Sequence, residues 1–274
     1  MSIRTSNSHL IAFKAFCRWA VKERRTPENP VAHLARLNDK VDRRVVRRPL
    51  APDELIRLIA AARGSLETKY GLFGLERSLV YRLASETGLR WSEIRSLARA
   101  AFALDADLPC VTIAPEDEKA GRGETLPLRR ELANDLAAYF KDHPAKPDAP
   151  TFPMNVRNEG AKMVAFDLGH TGDPENVAAG KQARGETPLE AIPVLDAAGR
   201  VADFHSLRHT FGTNLALAGV HPKVAQDLMR HSSIELTMNV YSHTKLESRA
   251  VALAGLPNVA TPVPPASPDA IETA

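Results

Sequence analysis

Tyr241 stands ten residues after His231, in the stretch Arg230-His-Ser-Ser-Ile-Glu-Leu-Thr-Met-Asn-Val-Tyr241. Upstream lie His205-Ser-Leu-Arg208-His209 and, earlier still, Gly88-Leu-Arg90-Trp-Ser-Glu93. Two arginines can present planar donor forks to the non-bridging oxygens of one phosphate. A histidine can move protons near neutral pH, and a tyrosine oxygen can attack phosphorus. Residues of these types, in this order, describe phosphoryl transfer without a metal, which points to breaking and rejoining nucleic acid.

Each residue also has a plain structural reading. His205 and Arg208 share a helix face at three-residue spacing, as a cap and a surface ion pair would. His205 and His209 have half of a zinc-peptidase pattern, but Ser206 stands where the glutamate belongs and no third ligand follows. Arg90 would serve as a cation at a helix end, Lys119 as a solvated hairpin lysine and Tyr241 as core filling. Jointly these readings fail, because types, order and local contexts agree at separated places.

Elements must hold such residues together. Apolar spacing predicts a helix over His9–Val21, and Pro49-Leu-Ala-Pro52-Asp53 starts another through Ala62. A helix from Leu75 to Thr87 stops at Gly88, and Ser92 caps the next. Three strands follow at Ala101–Leu104, Cys110–Ile113 and Glu124–Leu128, the last two joined by the loop carrying Lys119. Helices are expected at Glu131–Asp142, Asn158–Leu168, Ser206–Ala218, Pro222–Met229 and Lys245–Ala254. The fold class is therefore mainly α with a small three-stranded antiparallel sheet.

Net charge is +3, but residues 1–48 carry twelve Lys and Arg against four acids, a local +8 that leaves −5 for the rest. A basic arm suits a polyanion, and Arg43, Arg44, Arg47 and Arg48 in its linker are the candidate DNA contacts. Only Cys17 and Cys110 are present, so a disulfide framework and a zinc knuckle are not indicated, and a reducing, cytoplasmic setting follows. No signal peptide or long apolar run points to a membrane. The expected organisation is an arm and basic linker at 1–48, a catalytic domain at 49–257 with an insertion at about 143–200, and a disordered tail at 258–274.

The joint pattern over Leu50–Leu256 resembles the tyrosine recombinases, the phage-integrase family of site-specific recombinases. Thr87-Gly-Leu-Arg90-Trp-Ser-Glu93-Ile94 is similar to the family's first arginine box. Lys119, before the strand ending Leu126-Pro-Leu128, sits like its catalytic lysine, and His205-x-x-Arg208-His209-Thr210-Phe211 like its second box. Leu228-Met-Arg-His231-Ser-Ser-Ile through Tyr241 matches its last histidine and nucleophile. Glu124 departs from the basic residue often found there, and residues 1–40 resemble only the last helix or two of the family's helical DNA-arm domain.

The resemblance implies that Arg90, Arg208 and His231 bind the phosphate, His205 takes the tyrosine proton, Lys119 protonates the leaving 5′-oxygen and Tyr241 attacks. Glu93 is implied to orient the cluster. It implies a 3′-phosphotyrosyl intermediate on double-stranded DNA, four protomers on two DNA sites, and room for accessory DNA-bending proteins. Cofactors expected are none, and metal none; no Gly-rich nucleotide loop is present. A transposon integrase or topoisomerase-like nicking and closing enzyme would share the chemistry, and a non-cleaving DNA-binding regulator would share the scaffold.

Overall fold

The computed structural model describes residues 1–118, 121–154, 159–169 and 192–241. Lys119, the expected helix Lys245–Ala254, the expected tail at 258–274 and much of the expected insertion lie outside the described residues. The chain divides into two compact units, Met1–Tyr81 with Pro153–Leu207 and Arg82–Phe152 with Arg208–Ala274. Residues 1–48 belong to the first of these, together with the residues up to Tyr81.

The first unit opens with α1, Ile3–Lys22. It starts six residues before the apolar spacing does, because Ser2 caps it by accepting the Thr5 N–H at 3.1 Å. Asn7 then exchanges hydrogen bonds with the Leu37 backbone, donating to its carbonyl at 2.8 Å and accepting its N–H at 2.9 Å. Lys14 donates to the Ala32 carbonyl at 2.9 Å, so the stretch after the helix is strapped back along it. Helix α2, Pro52–Gly64, has Pro at its first position and is capped by Glu54, which accepts the Ala51 N–H at 2.8 Å.

Helix α3, Gly74–Thr87, follows after a tight approach. A Cβ on Gly74 would lie 2.2 Å from the Ser65 carbonyl oxygen, so only glycine fits. Within this unit Arg77, fully buried, forms a bidentate pair with Asp167 of α6 (Gly160–Asp167) at 2.9 and 3.0 Å. The Tyr81 hydroxyl donates to the same carboxylate at 2.6 Å. A buried charge pair survives only when its remaining donors and acceptors are met, and Arg77 also reaches the Glu67 and Leu72 carbonyls.

The second unit takes the end of α3, where Gly88 at φ +68° stops the helix as the sequence requires. The chain turns into α4, Trp91–Ser96, then a 3-10 turn, Arg99–Ala101, and the sheet β1 (Phe102–Ala103), β2 (Cys110–Ile113) and β3 (Glu124–Pro127). The strands are antiparallel in sequence order, with Val111 opposite Leu126 facing the core and Thr112 hydrogen-bonded to Thr125 on the outer face. The first strand is shorter than expected because Ala101 belongs to the 3-10 turn. Helix α5, Arg130–Asp142, buries Leu132, Ala133, Leu136 and Tyr139, and Arg82 ties α3 to it through Asp135.

Helix α7, Phe204–Leu217, is followed by Gly219 at φ +70° and α8, Pro222–Met229, which begins on proline as read from the sequence. Helix α9, Ile234–Tyr241, has no counterpart among the sequence-derived elements. Gly212 lets these helices close up: a Cβ there would lie 3.1 Å from Met229 Cε and 3.7 Å from Val240. The fold is mostly helical with one small antiparallel sheet.

Candidate active site

Gly88 joins the two arginine boxes inside the second unit. A Cβ on it would lie 2.8 Å from the Phe211 ring, and its carbonyl accepts a hydrogen bond from Arg208 Nη1. Arg208 Nη2 donates to the carbonyl of Met229, the last residue of α8. One buried guanidinium therefore braces the end of α3 against the end of α8. A guanidinium has five N–H donors, so these two bonds leave three for a ligand.

Arg90 is the residue before α4, two residues earlier than the expected cap at Ser92. The cap is made by Glu93, whose carboxylate accepts the Arg90 N–H at 2.8 Å and pairs with the Arg90 guanidinium. Glu93 is 1% exposed, and its second partner is Arg230 Nη2 at 2.8 Å. Burial pushes the Glu93 carboxyl up, but Arg230 and the Arg90 N–H and guanidinium outweigh it, and its pKa falls below the usual value. Glu93 is thus an ionised carboxylate that bridges two arginines.

Arg230 carried no role in the sequence reading. It ends α8 in the left-handed conformation, φ 51° and ψ 45°, where glycine is the usual residue. A large charged residue at a glycine position, directly before His231, was the available signal. Its side chain is 2% exposed.

His231 places Nδ1 2.9 Å from the buried Thr237 hydroxyl. Burial first, then Arg208 and Arg90, pull its pKa down to about 4, so the ring is neutral at pH 7. Burial, with Arg90 and Arg230, also brings Arg208 down to about 9, which leaves it cationic at pH 7. Arg90, Arg208, Arg230 and the Glu93 carboxylate together sum to +2, with Glu118 a further carboxylate near Arg230.

Tyr241 is not placed on this cluster. Its hydroxyl donates to the Val220 carbonyl at 2.6 Å, and partial burial raises its pKa. His205 is an exposed residue of the first turn of α7 and falls in the first unit. Glu118, the neighbour of Lys119, is near enough to Arg230 to favour its charged form. Among the described residues no three His, Cys, Asp or Glu side chains are grouped to hold a metal, and no helix is long and apolar enough to cross a membrane.

The linker arginines separate. Arg48 is buried, bound to Glu54 by both terminal nitrogens and donating to the Pro193 carbonyl at 2.9 Å. Its two terminal nitrogens are engaged inside the protein and its Nε is buried without a partner, so the side chain expected among the DNA contacts is turned inward. Arg47 pairs with Asp203 at 2.7 Å and Arg44 with Asp42 at 3.0 Å, both at partly or well exposed positions. Arg43 is exposed, with no ion pair among the described residues.

A mostly helical scaffold with one small antiparallel sheet is shared with proteins of known structure. XerH site-specific recombinase bound to palindromic difH substrate superimposes with a TM-score of 0.60 at 15% identity, over 93% of this chain and 67% of that one. The Tn1549 transposon integrase in complex with a circular intermediate DNA gives 0.60 at 22% identity, over 93% and 80%. At these identities the likeness is one of fold. The model of the phage integrase family matches residues 48–247, and the chain belongs to that family. The transposase of transposon Tn916 from Enterococcus faecalis is 52% identical over 44 residues, 16% of this chain and 11% of that protein. Tyrosine recombinase XerD of Caulobacter vibrioides is 28% identical over 207 residues, 73% of this chain and 59% of that protein. The chain therefore matches less than two thirds of the length of these two relatives.

Proposed function

We propose that this chain is a tyrosine-type DNA strand transferase acting in site-specific recombination. The observation that carries the proposal is the +2 cluster of Arg90, Arg208, Arg230 and Glu93 beside a neutral His231. A phosphodiester carries one negative charge, and attack on it builds a second. Preorganised donors that meet developing charge are commonly the largest catalytic contribution.

In the proposed reaction Tyr241 leaves the Val220 carbonyl and its oxygen bonds to phosphorus as the bond to the 5′-oxygen breaks. His205 takes the phenol proton, and Lys119 gives a proton to the departing oxygen. Arg90, Arg208 and His231 hold the non-bridging oxygens; His231 donates from Nε2 when Nδ1 accepts from Thr237. The product is a 3′-phosphotyrosyl link and a free 5′-hydroxyl, and attack by another strand's hydroxyl rejoins DNA. No ATP or cofactor enters the balance.

Double-stranded DNA is the proposed substrate, four protomers on two sites the proposed assembly, accessory DNA-bending proteins its proposed aids and the cytoplasm its setting. Arg43, Arg44 and Arg47 supply sequence-independent phosphate contacts. The domain reading at 49–257 remains the proposed catalytic portion. The position of Tyr241 on Val220 equally suits a non-cleaving DNA-binding regulator. A nicked suicide duplex that traps the covalent intermediate separates the readings: wild type is expected to give a shifted band on a denaturing gel and Tyr241→Phe none. No band from wild type would overturn strand transfer.

A further inference from the structure

The left-handed backbone of Arg230 is a place where glycine is at ease and a branched or bulky side chain is strained. Strain of this kind persists where the surrounding structure holds the side chain for a purpose. Here that side chain is buried, with Nη2 on Glu93, while Nε and Nη1 have no acceptor. A buried guanidinium with idle donors is costly unless something else uses its charge.

What uses it is visible at Glu93. The carboxylate has two oxygens, one paired with the Arg90 guanidinium and the other with Arg230 and the Arg90 N–H. Without Arg230, both oxygens would be open to the Arg90 fork, which fits a carboxylate with two parallel bonds. Arg90 would then be turned toward Glu93 and half-neutralised, with fewer donors for a phosphate.

We propose that Arg230 is a positioning residue of the phosphate pocket: it occupies one side of Glu93 so that Arg90 keeps donors for the scissile phosphate, and it holds the pocket at +2. The inference rests on the strand-transfer reading above and gives Arg230 a task within it. Charge counting over Arg90, Arg208, Arg230 and Glu93 makes it testable. Arg230→Gly lowers the pocket to +1, Glu93→Gln raises it to +3, and the double variant returns it to +2.

The test compares wild type, Arg230→Gly, Arg230→Lys and Arg230→Gly/Glu93→Gln in single-turnover cleavage of the suicide duplex. Glycine suits the backbone, so the Gly variant is expected to fold, and circular dichroism checks it. Its cleavage should fall by roughly 10²-fold, the usual loss on removing one preorganised group. Lysine should recover part of that loss, and the double variant should cleave faster than Arg230→Gly alone. A DNA carrying a neutral methylphosphonate at the scissile position should show a smaller Arg230→Gly penalty than ordinary DNA. Wild-type cleavage by Arg230→Gly, or a folded double variant no faster than Arg230→Gly, would overturn the proposal. Thermal stabilisation by inorganic phosphate reads the same pocket without cleavage, and Arg230→Gly should reduce it and the double variant restore it. If wild type forms no adduct, strand transfer fails, while the phosphate ordering still decides the role of Arg230: reversed or flat, it overturns it.

Discussion

Replacing Glu93 by Gln removes the carboxylate that bridges Arg90 and Arg230. Glu93 is 1% exposed and accepts from the Arg90 N–H at 2.8 Å, from Arg230 Nη2 at 2.8 Å and from the Arg90 guanidinium. Breaking a buried ion pair by removing one partner costs about 3–5 kcal/mol. The amide oxygen of Gln can still accept one of these bonds, which offsets about 1 kcal/mol. A net loss of about 3 kcal/mol, at about 2–4 °C per kcal/mol for a chain of this size, gives a melting point lower by roughly 6–12 °C. Calorimetry in phosphate-free buffer at pH 7.5 measures it. The pH dependence checks the cause. The folded pKa of Glu93 lies below its ordinary 4.5, so its contribution is complete above about 4.5 and vanishes as pH falls through the folded value. The gap between wild type and Glu93→Gln should therefore close in acid. A melting point within about 1 °C of wild type at pH 7.5, or a gap that persists unchanged to acid pH, would refute the ionised bridge.

Further outcomes follow from the same geometry. Arg208→Lys keeps the charge but loses the bonds to the Gly88 and Met229 carbonyls, so it should lower stability by about 3 kcal/mol and cleavage by roughly 10²–10³; denaturant unfolding and single-turnover kinetics read the two separately. The His231 ring should stay neutral from pH 8 down to about 5.5 and titrate near 4 by NMR, with stability falling as pH drops from its unfolded value of about 6.5; a midpoint near 6.5 would mean that neither burial nor the neighbouring arginines act on it. Arg43→Gln with Arg44→Gln should reduce the salt slope of DNA binding by up to about two phosphate contacts, near 0.9 in log K each, whereas Arg48→Gln should lower stability through the lost Glu54 pair.

Much of this was legible in the chain. Gly88, Gly219 and Pro222 mark breaks that backbone chemistry enforces, and the strands at Cys110–Ile113 and Glu124–Pro127 follow from alternation. The pairing of Glu93 with arginine was also readable, because Arg90 and Glu93 are three apart. The start of α1 was hidden by its run of polar residues, whose partners, Leu37 among them, are remote in sequence. Arg48 looked like its neighbours, and only Glu54 and the Pro193 carbonyl turn it inward. Arg230 escaped because a residue's φ is not written in its name. Helix α9 is only eight residues long, with Thr237 and Val240 inside it, so its pattern carries little weight by itself.

The central claim is that the Tyr241 oxygen becomes joined to a DNA 3′-phosphate. Mass spectrometry of the trapped adduct, after nuclease and trypsin digestion, measures it directly. The account predicts a nucleotide 3′-phosphate on the peptide from His231 to Lys245, fragmenting to a modification on Tyr241, with a free 5′-hydroxyl on the released strand. A modification on Ser232, Ser233 or any residue other than Tyr241, or a 5′-phosphate on the released strand, would contradict it.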